Sequence, residues 1–271
     1  MNLPDSSSNS PSPSSAPAAG PGIEVQKPAT PSPPDAEMIK GPKSRFSELC
    51  TLFRIMADFI RGLRVLHFVG PCVTIFGSAR TKEGDPHYEL ARKMGGALAE
   101  LGFTVMTGAG PGIMEAGNRG AREAGGRSVG CNIKLPFEQS ENAYLDRCVT
   151  MEYFFVRKTL LMKYSYAFVV MPGGAGTVDE LFEALTLIQT GKLAHFPIII
   201  MGTAYWKELL EFVEKMAREK MIGPDDLKLI YATDSIEEAI KHIRNHAIKP
   251  FGLKTMVLHN YSWLGERGLR R

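Results

Sequence analysis

Three glycine-rich segments contain the residues of this sequence that are best suited to hold a phosphate. They are Gly77-Ser78-Ala79-Arg80, Gly108-Ala109-Gly110-Pro111-Gly112 and Pro172-Gly173-Gly174-Ala175-Gly176-Thr177. Glycine lets a ligand approach the backbone closely, and a helix that follows such a segment offers unpaired N–H groups at its positive dipole end. A turn between a strand and a helix also needs glycine for steric reasons, so one segment alone would be weak evidence. Three of them together predict a phosphate-binding site.

The spacing of the second segment argues against a dinucleotide ligand. Gly108, Gly110 and Gly112 run G-x-G-x-G, and Ile113 stands where the dinucleotide fingerprint has its third glycine. The next apolar run ends at Ile133-Lys134 without an acid that would bind a ribose diol. The chain also has no glycine run that leads into Gly-Lys-Ser or Gly-Lys-Thr, as a Walker A loop requires. The sequence therefore favours a mononucleotide over NAD or ATP hydrolysis.

Alternating strand-like and helix-like runs must position these segments. Nearly continuous apolar runs predict strands at 72–76, 103–107, 128–133, 148–151, 167–171, 197–201 and 229–232, with helices between them. Such runs are typical of parallel strands that are covered on both faces. We expect an α/β fold, a single Rossmann-like doubly wound parallel sheet with helices on both faces. Its ligand site should lie beyond the carboxyl ends of the strands.

The composition changes near residue 44 and again near residue 250. Residues 1–44 are rich in serine and hold 10 of the 18 prolines, so we predict a disordered Ser/Pro-rich tail. Residues 45–250 are expected to form the nucleotide-binding domain, and residues 251–271 a C-terminal extension. Apolar residues at helical spacing predict a long amphipathic helix before the first strand. They are Phe46, Leu49, Phe53, Met56, Phe59 or Ile60, and Leu63.

Charge and cysteine content exclude several classes of protein. The formal net charge is +3, from 32 basic and 29 acidic residues that are interspersed, which argues against a nucleic-acid binder. No apolar stretch approaches the length of a membrane span, so we expect a soluble protein without a membrane partner. The four cysteines lack C-x-x-C spacing, which fits a reducing, cytoplasmic location. His242 and His246 lack the intervening glutamate of a zinc-protease helix, so a solvated helix face is expected there and no metal site.

The third glycine-rich segment continues into a motif that resembles a known family. Residues 172–180 read Pro-Gly-Gly-Ala-Gly-Thr-Val-Asp-Glu and match P-G-G-x-G-T-x-x-E, the signature of the LONELY GUY (LOG) family of cytokinin riboside 5′-monophosphate phosphoribohydrolases. The resemblance includes the segments 77–80 and 108–116 and the pair Arg157-Lys158, and it covers roughly residues 70 to 245. It implies hydrolysis of the N-glycosidic bond of a nucleoside 5′-monophosphate, such as AMP or isopentenyladenosine monophosphate. The products are the free base and ribose 5-phosphate.

The resemblance also implies roles for individual residues. Arg157 and Glu180 would be the catalytic pair, because a carboxylate can stabilise an oxocarbenium-like transition state and position or deprotonate water. Arg157 would orient the sugar, stabilise the departing base or hold Glu180 ionised. No motif suggests the lysine Schiff base of a pyridoxal phosphate enzyme, so the older family label of lysine decarboxylase does not fit, and we expect no cofactor and no metal. Substrate and phosphate contacts are expected from Gly77, Ser78, Gly108, Gly110, Gly112, Met114, Glu115, Lys158, Pro172, Gly173, Gly174, Gly176 and Thr177.

Several of these residues have structural alternatives. Thr177 and Glu180 have the spacing of a capping box, in which Glu180 would bond back to the helix start. Arg157 lies among apolar residues and could snorkel or bind a neighbouring carboxylate. Glu115 would contact the substrate or support its loop. Asp179 and Glu183 should point away from a phosphate, which their charge would repel.

The resemblance further implies a homodimer or higher homo-oligomer, with a small-molecule nucleoside monophosphate as ligand. Apolar contacts would come from residues 45–68 or from the helix that contains Phe182, Leu185 and Leu187, although such a stripe is usually internal core. A second class of function remains open. A non-catalytic carrier or sensor of a nucleotide or of the molybdenum cofactor would keep the phosphate cradles without turnover. The presence of both Arg157 and Glu180 favours the enzyme.

Overall fold

The apolar runs of the sequence form strands that alternate with helices. The structure, a computed structural model, describes residues 33–135, 140–193 and 196–248. Its strands are β1 (Cys72–Phe76), β2 (Thr104–Thr107), β3 (Ser128–Ile133), β4 (Arg147–Met151), β5 (Ser165–Val170), β6 (Ile198–Ile200) and β7 (Ile230–Ala232). Its α-helices are α1 (Pro33–Ile39), α2 (Arg45–Leu66), α3 (Pro86–Glu100), α4 (Ile113–Glu123), α5 (Phe154–Tyr164), α6 (Ala175–Gln189), α7 (Thr203–Arg218) and α8 (Ile236–Ile243). A 3₁₀ helix at Pro224–Leu229 and a π-helical turn at Arg244–Ile248 complete the described elements.

The seven strands form one sheet in the order β4-β3-β2-β1-β5-β6-β7, and every neighbouring pair is parallel. The chain builds outward from β1 to β4, returns through α5 to place β5 beside β1, and then builds outward to β7. The predicted doubly wound parallel sheet is confirmed. The direction of building reverses between β1 and β5, which is where a sheet of this kind opens a crevice at its carboxyl edge.

Alternate residues of the central strands serve two separate cores, because successive side chains of a strand point to opposite faces. In β5, Phe168 and Val170 pack on the face covered by α2, α5, α6 and Trp206 of α7. Ala167 and Val169 pack on the face covered by α3, α4 and α8. Both faces are therefore covered by helices, as the sequence predicts.

The structure also bears on the predicted N-terminal tail, on the cysteines and on membrane-spanning helices. Helix α1 lies inside the segment 1–44 that was predicted to be disordered, while residues 1–32 and the predicted extension 251–271 lie outside the described residues. All four cysteines are free. Among the residues described, none of the helices combines the length and the apolarity that crossing a bilayer requires.

The two histidines at helical spacing near the end of the described chain form part of a ring stack. The ring of His242 stacks on Tyr231 at 4.2 Å and on His246 at 4.1 Å, so His242 is less exposed than the expected solvated face implies. Within the described ranges, no group of three or more His, Cys, Asp or Glu side chains is placed to hold a metal ion.

Candidate active site

The three glycine-rich turns meet at the carboxyl edge of the sheet, because they follow the adjacent strands β2, β1 and β5. The turn after β1 lies in the middle and is bonded to both others. Ser78 N donates to Pro172 O at 2.9 Å, and Ile113 N donates to Ser78 O at 2.9 Å. Gly112 precedes α4 with a φ of +70°, a region that favours glycine, and a Cβ there would lie 2.4 Å from Ser78 O. The three glycine-rich turns that were predicted to bind phosphate are therefore connected to one another by hydrogen bonds.

A buried polar network holds the turn after β2. Asn142 Nδ2 lies 3.1 Å from both Ala109 O and Gly110 O and 3.0 Å from Asn118 Oδ1, and Asn142 N donates to Ala109 O at 2.9 Å. Thr107 Oγ1 donates to Asn118 Oδ1 at 2.6 Å and accepts from Ala109 N at 3.0 Å. Ala109 has a φ of +67°, which is unusual for a residue with a Cβ. The network therefore fixes a backbone conformation that alanine would not adopt unaided.

The turn after β5 is held by a hydrogen bond at Gly173 and is exposed at Gly174 and Gly176. Tyr205 Oη on α7 donates to Gly173 O at 2.9 Å. Gly174 and Gly176 are exposed, and a Cβ at either position would meet no protein atom within 4 Å. Protein packing does not require glycine at these two positions. Their missing side chains leave free space at the N-terminus of α6, where N–H groups face an approaching anion.

The capping-box alternative for Glu180 is wrong. Helix α6 begins at Ala175 with Gly174 as its N-cap, three residues earlier than the N-cap at Thr177 that this alternative requires. Thr177 is consequently the third residue of the helix and buried, and its N–H donates to Gly174 O at 3.0 Å. Glu180 is thereby released from the helix start and turns toward Arg157.

Arg157 and Glu180 form a buried pair between α5 and α6. Arg157 Nη1 lies 3.3 Å from Glu180 Oε1, and the two side chains are 13% and 5% exposed. Arg157 Nε donates to Cys131 O at 2.9 Å, at the carboxyl end of β3. The guanidinium is therefore held by a strand carbonyl on one side and by a carboxylate on the other, and it does not snorkel to solvent.

The second oxygen of Glu180 has no hydrogen-bond partner among the described residues, although it is buried. Burial raises the pKa of Glu180 to about 7, against the opposing effect of the positive charges of Arg157 and Lys158. Such a carboxyl exchanges a proton near neutral pH and has one oxygen available for a ligand or water. Both properties suit a residue that positions or deprotonates water.

Gly108 lies against the guanidinium of Arg157 and the sulfur of Met114. A Cβ on Gly108 would lie 2.6 Å from Arg157 Nη2 and 2.8 Å from Met114 Sδ, so glycine is needed there for a close approach. Glu115, one residue farther along α4, accepts a hydrogen bond from Tyr88 Oη at 3.0 Å. This bond joins α4 to the buried Tyr88 of α3, and contact between Glu115 and the substrate stays a prediction.

Lys158 is occupied by two carboxylates of α6. Its Nζ lies 3.0 Å from Asp179 Oδ1 and 2.5 Å from Glu183 Oε2, so these two acids are turned toward α5. Burial lowers the pKa of Lys158, but the hydrogen bonds that its ammonium donates to Glu183 and Asp179 prevail and raise the pKa. A pyridoxal phosphate enzyme needs a lysine amine that can lose its proton and form a Schiff base. Lys158, which is held in its charged form, therefore does not suit a Schiff base with pyridoxal phosphate.

Several supporting residues were not predicted from the sequence. Thr107, Asn118 and Asn142 hold the second turn, Tyr205 supports the third, and Cys131 anchors Arg157 through its carbonyl oxygen. Asn142 comes 24 residues after Asn118 and from a different connection of the fold. No local pattern marks such a pairing.

Comparison with known proteins identifies a family and several named relatives. A family model described as "Possible lysine decarboxylase" matches residues 114–243. The cytokinin riboside 5′-monophosphate phosphoribohydrolase of Rhodococcoides fascians is 32% identical over 176 residues, which cover 64% of this chain and 89% of that relative. The enzyme of the same name from Mycobacterium tuberculosis is 28% identical over 155 residues, covering 56% of this chain and 83% of the relative.

Solved structures agree on the fold. The molybdenum cofactor carrier protein of Chlamydomonas reinhardtii superposes with a TM-score of 0.51 and 23% identity, covering 66% of this chain and 99% of that one. At this identity the likeness shows the fold alone. The signature that ends at Glu180 lies within the matched residues 114–243, and the similarity to the Rhodococcoides fascians enzyme spans most of that relative. The chain therefore belongs to the LONELY GUY family.

Proposed function

We propose that this protein hydrolyses the N-glycosidic bond of a nucleoside 5′-monophosphate and releases the free base and ribose 5-phosphate. A cytokinin riboside 5′-monophosphate or AMP is the proposed substrate. The buried pair of Arg157 and Glu180 carries the proposal, because its free carboxyl oxygen lies beside the edge at which three phosphate cradles meet. The names of the relatives from Rhodococcoides fascians and Mycobacterium tuberculosis support the same reaction.

The chemistry divides between the two residues of the pair. In the reaction, an oxygen of water bonds to the anomeric carbon, the carbon–nitrogen bond breaks, and its electrons pass to the base. Ionised Glu180 would stabilise the positive charge that develops on the sugar and take a proton from the attacking water. Arg157 keeps its proton throughout, so it acts by charge and orientation while the base takes its proton from solvent.

The phosphate would bind at the N-terminus of α6. Gly174 and Gly176 leave open space there, and Gly173 is fixed by Tyr205. The turns that contain Ser78 and Gly112 lie beside it through their shared hydrogen bonds. Backbone N–H groups and the helix dipole would compensate the charge of the phosphate, which requires neither a metal nor a cofactor.

An assay of base release tests this function. Purified protein is incubated with AMP, GMP, CMP, UMP or isopentenyladenosine monophosphate, and the free base is measured by chromatography. We expect release from at least one purine nucleotide, its loss in Glu180→Gln, and wild-type release in Glu211→Gln, which alters an exposed glutamate of α7. Ligand-induced thermal stabilisation by AMP without any base release would contradict hydrolysis and favour a nucleotide-binding carrier or sensor.

We also propose that two copies of the chain associate through α2 and that the protein is cytoplasmic. Six apolar residues of α2 recur at alternating spacings of three and four and are between 36% and 75% exposed: Phe46, Leu49, Phe53, Met56, Ile60 and Leu63. Together they expose on the order of several hundred Å² of apolar surface, comparable with the roughly 800 Å² that each partner contributes to a standard interface. Spacing of this kind lets a second copy of the same helix pack against it.

The free state of all four cysteines supports the proposed cytoplasmic location.

A further inference from the structure

The beginning of the catalytic helix α5 is held by a carboxylate from another element. Asp58, on α2, is only 2% exposed at its side chain. Its Oδ2 accepts hydrogen bonds from Glu152 N at 3.0 Å and Tyr153 N at 3.2 Å. Tyr153 is the N-cap residue of α5, and its own side chain makes no capping bond. Asp58 therefore binds the N-cap residue and the residue before it, and we call this contact the Asp58 cap; it does not reach the second and third helical residues that an ordinary N-cap side chain binds.

Neighbouring contacts strengthen this connection. Arg61 Nη1 lies 3.4 Å from Asp58 Oδ1 and donates to Thr150 O at 3.3 Å, so α2 also holds the end of β4. Asp35 on α1 accepts from Phe154 N at 3.4 Å. Three successive backbone N–H groups, at residues 152–154, are thus bonded to carboxylates of the two N-terminal helices. Both helices lie outside the residues 114–243 that match the family model.

The cap is one helical turn from the catalytic arginine. Arg157 N donates to Tyr153 O at 3.1 Å, in the first turn of α5. The N–H of Tyr153 is one of the first N–H groups that have no partner within the helix, so loss of its bond to Asp58 leaves this end of α5 less restrained. Loss of the cap would loosen the turn that fixes the backbone of Arg157. The distances from Arg157 to Cys131 O and to Glu180 depend on that backbone position.

We infer that Asp58 is a positioning residue, which holds Arg157 against Glu180 by capping α5 from α2. This inference rests on the proposed function of the pair. Asp58 acts through the helix and is not itself part of the catalytic pair. The N-terminal helices then contribute to the reaction as well as to the surface of the protein.

The position of Arg157 has a measurable consequence for the titration of Glu180. The charged groups around Glu180 are Arg157 and Lys158 on α5 and Asp179 and Glu183 on its own helix. Arg157 lowers the pKa of Glu180, whereas the two acids raise it. If Arg157 moves away, the pKa of Glu180 must rise. The acidic limb of the kcat/KM profile, which follows ionisation of Glu180, should then move to higher pH.

The test compares Asp58→Ala and Asp58→Asn with the wild-type protein. In Asp58→Ala we expect kcat to fall about 10-fold to 100-fold with a smaller change in KM, and the acidic limb to move up by about half a pH unit or more. Asp58→Asn keeps an oxygen acceptor and should recover most of kcat and the wild-type limb. Ser235→Ala is the matched control, because it removes the N-cap bond of α8, which carries no residue of the site. It should lower thermal stability without altering either kinetic measure.

The outcomes separate this inference from the proposed function. Base release by the wild-type protein tests the function, whereas the ratio of variant to wild type and the shift of the limb test Asp58. A folded Asp58→Ala with wild-type kcat and an unmoved limb would overturn the inference. If that variant does not fold, amide hydrogen exchange of the wild-type chain decides. Protection of the amides of residues 152–154 is expected, and exchange at unprotected rates would overturn the cap.

Discussion

Glu180 combines two properties that seldom occur together in a structural glutamate. It is buried, yet one of its oxygens has no hydrogen-bond partner among the described residues. Arg157 lies at 3.3 Å and favours the charged form, but burial outweighs it and raises the pKa to about 7. A fully hydrogen-bonded ion pair would have lowered the pKa of Glu180. Because the pKa is raised instead, ionisation of this buried carboxyl destabilises the folded state.

This cost predicts how stability responds when Glu180 is replaced. The pKa is raised from 4.5 to about 7 on folding, so the folded chain binds more protons than the unfolded chain between these values. The free energy of unfolding must therefore fall as the pH rises through that window. Gln resembles the neutral carboxyl and removes the effect. We expect Glu180→Gln to be more stable than the wild type at pH 8, by on the order of 2 kcal/mol, and similar to it at pH 5.

Urea unfolding at both pH values provides the measurement for Glu180→Gln. Glu211→Gln, an exposed substitution on α7, serves as the control and should change stability little at either pH. A Glu180→Gln protein that gains nothing at pH 8 relative to pH 5 would contradict the raised pKa.

Gly108 allows a test of the position of Arg157 that leaves the rest of the fold intact. A Cβ at this position would lie 2.6 Å from Arg157 Nη2 and 2.8 Å from Met114 Sδ, both at the ends of flexible side chains. These groups can move aside, so we expect Gly108→Ala to shift Tm by only a few degrees. The displaced guanidinium should nevertheless reduce kcat/KM by about 10-fold to 100-fold. Steady-state kinetics and thermal unfolding of the same preparation measure both, and wild-type kinetics would place Arg157 outside the reaction.

At the level of secondary structure, the ends of helices and strands are predicted well where the sequence signal for them is local. Strands β1 and β3 agree with the predicted bounds 72–76 and 128–133, because a run of buried apolar residues is itself the signal. The capping-box alternative puts the N-cap of α6 at Thr177, yet the N-cap is Gly174 and the helix begins at Ala175. Gly174 and Gly176 favour a helix poorly, so propensity places the start too late. The bond from Ser78 N to Pro172 O, made by another turn, fixes the chain before that point.

The same distinction explains which parts of the site could be predicted. The glycine turns, Arg157 and Glu180 belong to contiguous motifs, so their residue types and order could be recognised. Asn118 and Asn142 meet only after β2, β3 and their connections have folded, and an isolated asparagine gives no periodic signal. Helix α1 inside the Pro-rich segment is a related case, because proline at a first helical turn needs no N–H partner.

The asparagine network predicts that the second turn loses its shape when Asn142 is removed. Its amide nitrogen lies within hydrogen-bond distance of Ala109 O, Gly110 O and Asn118 Oδ1, all of which are buried. In Asn142→Ala these acceptors lose a partner and Ala109 loses support for its positive φ. We expect a loss of about 1–3 kcal/mol in the free energy of unfolding, with weaker AMP binding.

Chemical denaturation and calorimetric AMP titration measure the two effects of Asn142→Ala. Gln189→Ala, which removes an exposed hydrogen bond to Asp226, is the control and should stay within about 0.5 kcal/mol of the wild type. Wild-type affinity in Asn142→Ala would show that the turn keeps its shape without the network.

On the scale of the whole molecule, α2 has a different role on each of its sides. Its inner side reaches α5 through buried Asp58 and packs Leu66 into the core. Its outer side carries the exposed apolar stripe from Phe46 to Leu63. The stripe was predicted from helical spacing, but its exposure was not, because the spacing of an apolar stripe does not say whether it faces the core or a partner.

The exposed stripe predicts the oligomeric state and what disrupts it. We expect the wild-type protein to be at least dimeric at micromolar concentration, and the double variant Phe53→Glu with Ile60→Glu to be monomeric, because buried unpaired charges would oppose contact between the helices. Both side chains are about half exposed, so the variant should remain folded. Sedimentation equilibrium gives the mass, and circular dichroism checks the fold. Met221→Glu, which alters an exposed apolar residue away from α2, should keep the wild-type mass. A monomeric wild type, or a double variant with unchanged mass, would show that no second copy covers α2.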